Sequence, residues 1–379
     1  MLTLQDKSVQ LDDLLNRAAA SLQLDTTRQK RMESAYNNVR EWIEADEDFF
    51  KPFQFEIYPH GSVRTGTTVK PFARNEFDLD VVIHLRSQLV KFSPEKIYQE
   101  LKRRLSEHEG FKKMLEPKNR CLRLNYAGDF HMDILPGVQE SEWDNNKLLV
   151  PDRERGTWVS TNPRGYADWL MNVASKVELS LLEKAFSAEA LPTDEYRDKK
   201  PLQRAIQLIK RSRDIYFDKN IQYKEYPTSS IVLTTLAGQL YSGQASIFES
   251  IEGILQAIRN KTLGSIARIK VVNPVNGEED FTDKWEKEPA HYAAFSQFIR
   301  EFYNQWQELK RGEGVLKESY ILKGLFGDDT IISAQESAAE WLEGYRNAGK
   351  LKIQRNTGIL STLTGNQSSP VRFNTFYGD

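Results

Sequence analysis

The sequence predicts an α+β protein in which a mixed sheet with helices is followed by a helical second lobe. Two observations predict the sheet. Residues 77–85 (FDLDVVIHL) alternate strictly between two faces, and residues 119–138 alternate in two runs broken at Ala127-Gly128-Asp129, which indicates a hairpin. One observation predicts the second lobe: beyond about residue 165 the spacing of apolar residues becomes helical.

Composition sets the class of protein. The chain has 379 residues, 39% hydrophobic and 28% charged, with a mean hydropathy of −0.59, which is typical of a globular protein with room for two lobes. No run approaches the ~18 to 20 apolar residues of a membrane span, and the first residues are too polar for a signal peptide. A single cysteine, Cys121, permits neither an internal disulfide nor a cysteine-based zinc site and favours the cytoplasm. A net charge of −2 argues against bulk binding to nucleic-acid backbone.

The first part of the chain predicts helices on either side of a short strand. Residues 26–45 have helical spacing, with Thr26 or Thr27 as the N-cap and with a core stripe of Met32, Tyr36, Val39 and Ile43. Residues 53–58 predict a strand. Residues 93–110 predict a helix capped by Ser93, with Pro94 at its first position and Gly110 ending it.

The remaining chain predicts the helical lobe and a tail. Helical spacing or caps mark six segments: 165–187, 201–217, 228–242, 246–261, 289–311 and 334–348. From Lys350 onward the composition is rich in Asn, Thr, Ser and Gly, which predicts a loosely packed tail. We therefore divide the chain into a core with an N-terminal helix (1–163), a helical lobe (164–349) and a tail (350–379).

Three aspartates stand out within the predicted sheet. Asp78 and Asp80 lie on one face of the 77–85 strand, with Cα atoms roughly 7 Å apart. Asp133 lies on the second strand of the hairpin, on the same face as His131. Two unit charges about 4 Å apart near a surface repel by roughly 4 kcal/mol. The sequence therefore predicts that a cation lies among these carboxylates.

The Gly61-Ser62 turn, the Asp78-x-Asp80 strand and Asp133 on a neighbouring strand together resemble the nucleotidyltransferase superfamily that includes DNA polymerase beta. The resemblance implies a polymerase-beta-like core with the active site in the cleft between core and helical lobe. It implies two Mg²⁺ ions, with Mn²⁺ as a substitute, because hard cations prefer carboxylate ligands and clamp the reacting oxygens. Asp78 and Asp80 would hold the metals on the incoming triphosphate. Asp133 would complete the site at the attacking hydroxyl, and Gly61 and Ser62 would contact the triphosphate.

Plainer interpretations stand beside these roles. An isolated Asp-x-Asp is usually a solvated strand face, and it is the Gly-Ser turn and the third acid that favour metal binding here. Neutral packing is favoured over catalysis for three histidines, which are His60, His84 and His131. Arg64 either reaches a phosphate or lies at the surface.

The second lobe narrows the resemblance. "NPRGYADWL" (162–170), "PLQRAIQLIKRSRDIYF" (201–217), "YPTSSIVLTTLAGQL" (226–240) and "NPVNGEEDFTDKW" (273–285) look like the bacterial cyclic-oligonucleotide synthases, the group named for cyclic GMP-AMP synthase and the dinucleotide cyclase DncV (CD-NTases). The resemblance implies that Lys210, Ser229 and Ser230 contact nucleotide phosphates. The alternative for the two serines is that they only cap a helix. For 273–285 we favour a structural turn with Trp285 packed beneath it.

The resemblance implies a synthase that joins nucleoside triphosphates, ATP or GTP foremost, into a cyclic messenger for antiphage (CBASS) signalling. The chain lacks the cysteine-based zinc insertion of the DNA-sensing relative, which argues against activation by double-stranded DNA. Two other functions stay open. One is a polymerase or tRNA-adding transferase, against which the lack of a basic module counts. The other is a non-catalytic, antitoxin-like nucleotide-binding module, against which the intact acid triad counts.

The C-terminal segment "SSPVRFNTFYGD" carries a separate hypothesis. Val371, Phe373, Phe376 and Tyr377 stand in a short polar segment after a proline, too few to form a core and enough to dock in a groove. Some synthases of the family are encoded beside ubiquitin-transfer-like proteins that capture their C-terminus. We interpret the segment as a handle for such a partner, with a tail that folds back on its own helical lobe as the alternative.

Overall fold

A computed structural model describes residues 4–73, 76–86, 92–177, 198–263, 267–354, 360–361 and 368–370. Within these ranges a seven-stranded mixed sheet forms the centre of the core. Its strands are β1 (Phe55–Pro59), β2 (Phe77–Leu85), β3 (Leu115–Pro117), β4 (Leu122–Tyr126), β5 (Phe130–Gln139), β6 (Leu148–Asp152) and β7 (Thr157–Thr161). The strand order is β1-β2-β5-β4-β3, with β6 pairing both β5 and β7. The predicted hairpin is confirmed as β4 and β5.

One pair in this sheet, β2 with β5, is parallel, and the other pairs are antiparallel. Among the described residues, four helices belong to the core: α2 (Thr26–Glu44), α3 (Gly61–Arg64), α4 (Pro94–Glu107) and α5 (Glu109–Met114). The apolar side of the sheet packs against α2 and α4, whose buried residues include Tyr36 and Tyr98. The predicted buried stripe of α2 is confirmed.

Two predicted helix ends differ from the structure. The N-cap of α2 is Asp25, whose carboxylate accepts a hydrogen bond from the Arg28 amide at 2.9 Å, so the prediction of Thr26 or Thr27 is wrong. Ser93 caps α4 and Pro94 opens it, as predicted. Gly110 does not end that helix. The chain leaves α4 at His108, which takes extended backbone angles and whose ring caps α5, so that Gly110 lies inside α5.

The second lobe is helical, as predicted. Its helices are α6 (Pro163–Ala174), α7 (Pro201–Lys219), α8 (Ser230–Leu240), α9 (Ile247–Leu263), α10 (Asp283–Lys287), α11 (Ala290–Arg311), α12 (Val315–Phe326) and α13 (Asp328–Asn347). The predicted helix 165–187 differs, because α6 ends at Ala174 and a 3-10 turn follows at Ser175–Val177, while 178–187 lies outside the described residues. None of the described helices is long and apolar enough to cross a membrane.

The first helix, α1 (Leu4–Ser21), was not predicted. It packs into the buried cluster of the helical lobe, with Leu15 and Leu22 fully buried, rather than against the sheet. Arg17 hydrogen-bonds to the Ser337 carbonyl and hydroxyl, both at 3.1 Å, which fixes α1 to α13. The helical lobe is thus completed by the beginning of the chain.

Two small antiparallel sheets complete the described chain. The hairpin β8 (Val272–Asn273) and β9 (Asn276–Asp280) lies in the "NPVNGEEDFTDKW" segment. Trp285 is 4% exposed and packs against Phe295 at a centroid distance of 4.9 Å, which confirms its predicted packing. The tail contributes β10 (Lys352–Gln354), β11 (Leu360–Ser361) and β12 (Ser368–Pro370), whose pairing was not predicted. The partner-docking hypothesis falls on residues 371–379, outside the described residues.

Candidate active site

The three predicted aspartates meet on one face of the sheet. Parallel pairing of β2 with β5 sets Asp80 directly opposite Asp133, and Asp78 opposite His131. The sequence could predict that these acids share a face but not that their strands are adjacent and in this register. The structure therefore brings Asp78, Asp80 and Asp133 together, as the candidate site requires.

Gly61 is required by the position of Asp80. Gly61 has φ of +60°, and a Cβ atom placed on it would lie 2.1 Å from Oδ2 of Asp80. The amide of His60 also donates a hydrogen bond to the Asp80 carbonyl at 2.9 Å. A side chain at position 61 would both strain the backbone and displace the carboxylate. The Gly-Ser turn and the acidic strand thus form one close-packed unit.

Asp80 is buried, and its negative charge is only partly compensated. Burial first, and then the nearby charges of Asp78 and Asp133, raise the pKa of Asp80 to about 7. Burial also raises the pKa of Asp78. Asp80 thus gives up its proton readily only when a cation compensates its charge.

The predicted cation among the acids is in part an arginine that sequence reasoning missed. Arg123 on β4 donates to both oxygens of Asp133, at 2.7 and 2.8 Å, and lies 3.4 Å from Asp78. These carboxylates raise the pKa of Arg123. The hairpin could have predicted this ion pair. In a hairpin whose turn is centred on Gly128, Arg123 lies opposite Asp133, and β4 and β5 have this register.

The donor set fits divalent metal binding in its chemistry. Three carboxylates supply hard oxygen ligands, and the raised pKa of Asp80 indicates a missing positive charge. Among the described residues, no three His, Cys, Asp or Glu side chains form a closed metal-binding arrangement. Arg123 donates to Asp133 and approaches Asp78, so a bound cation and this guanidinium would share the same carboxylate oxygens.

A cavity of about 450 Å³ lies between the core and the helical lobe. We call it the interlobe cavity. Its walls come from both lobes: residues of the core are His60, Gly61, Ser62, Asp78 and Asp80, and residues of the helical lobe are Lys210, Arg213, Ser230, Glu279 and Phe281. The predicted cleft between core and helical lobe is therefore present, with Asp78 and Asp80 on its wall.

Lys210 of α7 lies in this wall, as the resemblance implied. Its Nζ atom donates to the carbonyl and hydroxyl of Thr67, at 3.0 and 3.2 Å. Burial lowers the pKa of Lys210 to about 7. An anion entering the cavity would stabilise the charged ammonium, so Lys210 suits phosphate binding.

The same helix holds the loop that follows the Gly-Ser turn. Gln203 and Gln207 donate to the backbone carbonyls of Thr65 and Thr68, at 2.8 and 2.6 Å, and both glutamines are buried. These two glutamines of α7 thus bind main-chain acceptors of the core. Ser62 lines the interlobe cavity and its hydroxyl accepts from Thr68 Oγ1 at 3.2 Å.

The two predicted serines occupy different positions. Ser230 begins α8 and lines the interlobe cavity, whereas Ser229 is exposed and makes no side-chain cap hydrogen bond. Sequence reasoning missed Arg213, which also lines this cavity. Arg213 donates to the Ser230 hydroxyl and pairs with Asp214. A basic side chain therefore stands beside Ser230.

The histidines and Arg64 take packing positions. Burial lowers the pKa values of His60 and His84 to about 4, which leaves both neutral near pH 7. His131 pairs with Glu76 at 2.9 Å. Arg64 lies 3.7 Å from Asp168 of α6 and is not among the residues lining the interlobe cavity.

The chain is similar to known proteins. Residues 9–173 match the family model of the Second Messenger Oligonucleotide or Dinucleotide Synthetase domain. The chain is 43% identical over 381 residues to a c-di-GMP synthase of Roseivirga ehrenbergii, covering all of both chains. It is 24% identical to the cyclic dinucleotide synthase CdnG of Bradyrhizobium diazoefficiens, over 97% of this chain and 95% of the relative.

The fold is also similar to a solved structure. The structure of the Bradyrhizobium diazoefficiens CD-NTase CdnG in complex with GTP superposes with a TM-score of 0.67 at 21% identity. The match covers 87% of this chain and 99% of that one. The likeness extends over core and helical lobe together.

Proposed function

The chain belongs to the bacterial CD-NTase family of nucleotidyltransferases, the cyclic dinucleotide synthases, and on that premise we propose that it condenses two molecules of GTP into cyclic di-GMP. The observation that carries the proposal is that Asp78 and Asp80 line a cavity that Lys210 also lines, with Asp133 directly opposite Asp80 on the neighbouring strand. The choice of GTP is supported by the 43% identical relative, which is named a c-di-GMP synthase.

The reaction has two rounds of the same chemistry. In each round a ribose hydroxyl oxygen of one nucleotide attacks the α-phosphorus of the other, and a new P–O bond forms. The bond to the β-phosphate breaks, diphosphate leaves with the bonding electrons, and the hydroxyl proton passes to solvent. The second round closes the ring. In this proposal the protein alone holds the two nucleotides, without a template strand.

The three aspartates would hold two Mg²⁺ ions. When bound, these ions supply charge neutralisation at the attacking and leaving oxygens. We assign Asp78 and Asp80 to the incoming triphosphate and Asp133 to the attacking hydroxyl. Asp80 would be the carboxylate most altered by loading, since burial raises its pKa to about 7 in the metal-free protein.

Other side chains of the interlobe cavity would bind the triphosphate. Lys210 places its ammonium beside Thr67, and Ser230 and Arg213 stand together at the start of α8. A helix N-terminus with a basic side chain favours an anion, so this wall suits phosphate oxygens. Ser62 and the amide of Gly61 would contact the same group from the core. Ser229 is exposed, and we therefore assign the serine contact to Ser230.

We further propose that the product acts as a messenger in antiphage signalling. This step rests on family membership, and the residues described above do not bear on it. In this proposal a second protein binds the cyclic dinucleotide and responds to it. Infection of cells that carry the intact gene, compared with an Asp78→Asn/Asp80→Asn version, would measure protection against phage.

Incubation with labelled triphosphates tests the enzymatic proposal. Purified protein receives GTP, ATP, CTP or UTP singly and in pairs, with Mg²⁺ or Mn²⁺, and the product is treated with phosphatase and nuclease. We expect a phosphatase-resistant product from GTP alone, absent with EDTA and with Asp78→Asn/Asp80→Asn. A linear product, or no product from any mixture, would overturn the proposal.

A further inference from the structure

Glu279 is a carboxylate at the interlobe cavity that the proposed chemistry does not use. It lies on β9, where its oxygens accept hydrogen bonds from Thr161 Oγ1 at 2.8 Å and Asn273 Nδ2 at 2.7 Å. Both donors are neutral. Burial raises the pKa of Glu279 despite these bonds, so its charge is incompletely compensated.

The other carboxylates of the interlobe cavity have cationic or imidazole partners in the described part of the chain. Asp78 lies near Arg123, Asp214 pairs with Arg213, and Glu76 pairs with His131. Asp80 faces the positive charge of Lys210. Glu279 is in no ion pair among the described residues, and Arg120, which also lines the interlobe cavity, lowers its pKa only through its charge. The Asn162 amide adds a further hydrogen bond to this carboxylate, and the side chain lines the interlobe cavity.

The position of Glu279 excludes the triphosphate as its ligand. Like charges repel, and the phosphate-binding cations of the interlobe cavity stand beside the acids instead. Strand pairing shows where Glu279 lies: its donor Thr161 pairs with Leu148, which pairs with Gln139 of β5. Gln139 is six residues beyond Asp133, which is at most about 20 Å along a strand. The path from Gln139 to Thr161 also crosses two strand spacings of about 5 Å each. The total separation is comparable with the length of an extended nucleoside triphosphate.

The walls near Glu279 suit a planar base. Tyr166 and Phe281 line the interlobe cavity, with ring centroids 5.9 Å apart and planes perpendicular. Phe281 follows Glu279 by two residues, and Pro163 and Ile231 add further apolar wall. Aromatic and apolar walls with one convergent polar group are typical of sites for a heterocyclic ligand.

We propose that Glu279 selects guanine, its carboxylate accepting hydrogen bonds from N1–H and the 2-amino group. The proposal rests on the proposed function, since it assigns the base end of the same nucleotide site. Guanine offers two adjacent donors to two carboxylate oxygens, which compensates the buried charge. Adenine presents an acceptor at N1 and would leave Glu279 facing a lone pair. A buried polar group left unpaired is what makes a site reject the wrong ligand strongly.

The substitution Glu279→Gln tests this assignment with Glu278→Gln as its matched control. Glu278 is the preceding residue, and its side chain is 70% exposed near Lys147. Binding is measured with α,β-methylene analogues of GTP, ATP and ITP, which cannot release diphosphate. ITP carries N1–H and lacks the 2-amino group, so it isolates one of the two hydrogen bonds.

We expect Glu279→Gln to weaken binding of the GTP analogue about tenfold to a hundredfold, the range for charge-assisted hydrogen bonds. Binding of the ATP analogue should be unchanged or stronger, because an amide can pair with adenine. The wild-type protein should prefer the GTP to the ITP analogue, and this preference should shrink in Glu279→Gln. Glu278→Gln should match the wild type throughout.

Equal weakening of all three analogues would overturn the proposal, because it would show that Glu279 only joins β9 to β7. An unchanged ratio of GTP to ATP binding would overturn it as well. These outcomes are separable from failure of the proposed function. If the wild type forms no cyclic product yet binds guanine through Glu279, the function fails and the base assignment stands.

Discussion

Arg123 and Asp133 face each other across β4 and β5 and form a two-point ion pair, with hydrogen bonds of 2.7 and 2.8 Å. The same guanidinium lies 3.4 Å from Asp78. In the metal-free protein, Arg123 therefore neutralises two of the three carboxylates assigned to metal binding. Divalent ions and Arg123 would compete for the same oxygens.

Arg123→Gln should therefore change stability and metal affinity in opposite directions. We expect the metal-free protein to lose about 1 to 3 kcal/mol in its free energy of unfolding, because a half-buried ion pair loses one partner. Binding of Mn²⁺ without nucleotide should become tighter, because its competitor is gone. Urea unfolding in EDTA and Mn²⁺ titration measure the two effects.

Arg31→Gln is the control for this change, since it removes an arginine that is 67% exposed and pairs with Asp129. It should leave Mn²⁺ affinity unaltered. Weaker Mn²⁺ binding in Arg123→Gln would show instead that Arg123 holds Asp133 in place for the metal.

Asp78→Asn combined with Asp80→Asn should abolish product formation while leaving the fold intact or slightly more stable. Neutralising the pair removes both the metal ligands and the repulsion between like charges. Product assays and thermal unfolding provide the two measurements. Retention of more than a small fraction of the activity would contradict the two-metal assignment.

Gly61→Ala should cost at least about a hundredfold in turnover, because its methyl group would displace the Asp80 carboxylate, and a misplaced catalytic group costs about that factor. Gly156→Ala is a matched control: Gly156 has φ of +64° and no atom within 4 Å of an added Cβ. Both variants should lose about 1 kcal/mol of stability from left-handed backbone strain. Equal turnover in the two variants would show that the contact with Asp80 is unimportant.

Stability of the metal-free protein should depend on pH through Asp80. Its pKa of about 7 in the folded protein lies above the ordinary value of 3.8, so the folded state binds the extra proton between these limits. The contribution is present below pH 4 and is lost as the pH rises through 7. Asp80→Asn should therefore gain more than about 1.4 kcal/mol relative to wild type between pH 4 and pH 8, the equivalent of one pKa unit.

Urea unfolding of both proteins in EDTA at several pH values gives this difference directly. The lowered pKa of Lys210 has the opposite effect, because it makes the free energy of unfolding rise above pH 7. Both proteins contain Lys210, so the difference between their free energies of unfolding largely removes this contribution. A difference that is flat between pH 4 and pH 8 would be inconsistent with the raised pKa of Asp80.

Asp133→Ala should reduce turnover more than it reduces the thermal stabilisation by Mg²⁺ and a triphosphate. A ligand bound only to the native state at a hundredfold excess over Kd stabilises by about 2.7 kcal/mol. Asp78, Asp80 and Lys210 would still bind the triphosphate in this variant. If the thermal shift vanished while turnover persisted, the division of roles among the aspartates would be reversed.

The sequence predicted the acids and the strands because alternation and turn residues are local signals. The 77–85 strand and the hairpin centred on Gly128 follow from spacing alone. Arg213 and Glu279 could not be predicted in this way, since each reaches the interlobe cavity through packing between distant segments. The exposed position of Ser229 could not be predicted, because two adjacent serines, Ser229 and Ser230, could each begin α8. Helix α12 was missed because it lacks a side-chain N-cap.

The packing of α1 against α13 has a consequence for synthesis of the chain on the ribosome. Arg17 emerges early, whereas its partner Ser337 lies 320 residues later. The apolar face of α1, which includes Leu15, also packs against α7 and α9, so it is covered in part when these helices have been made and fully only when α13 follows. Contacts of such long sequence separation slow folding and leave apolar surface open to aggregation. The nascent chain should consequently depend on chaperones that cover its first helix until the last helix arrives.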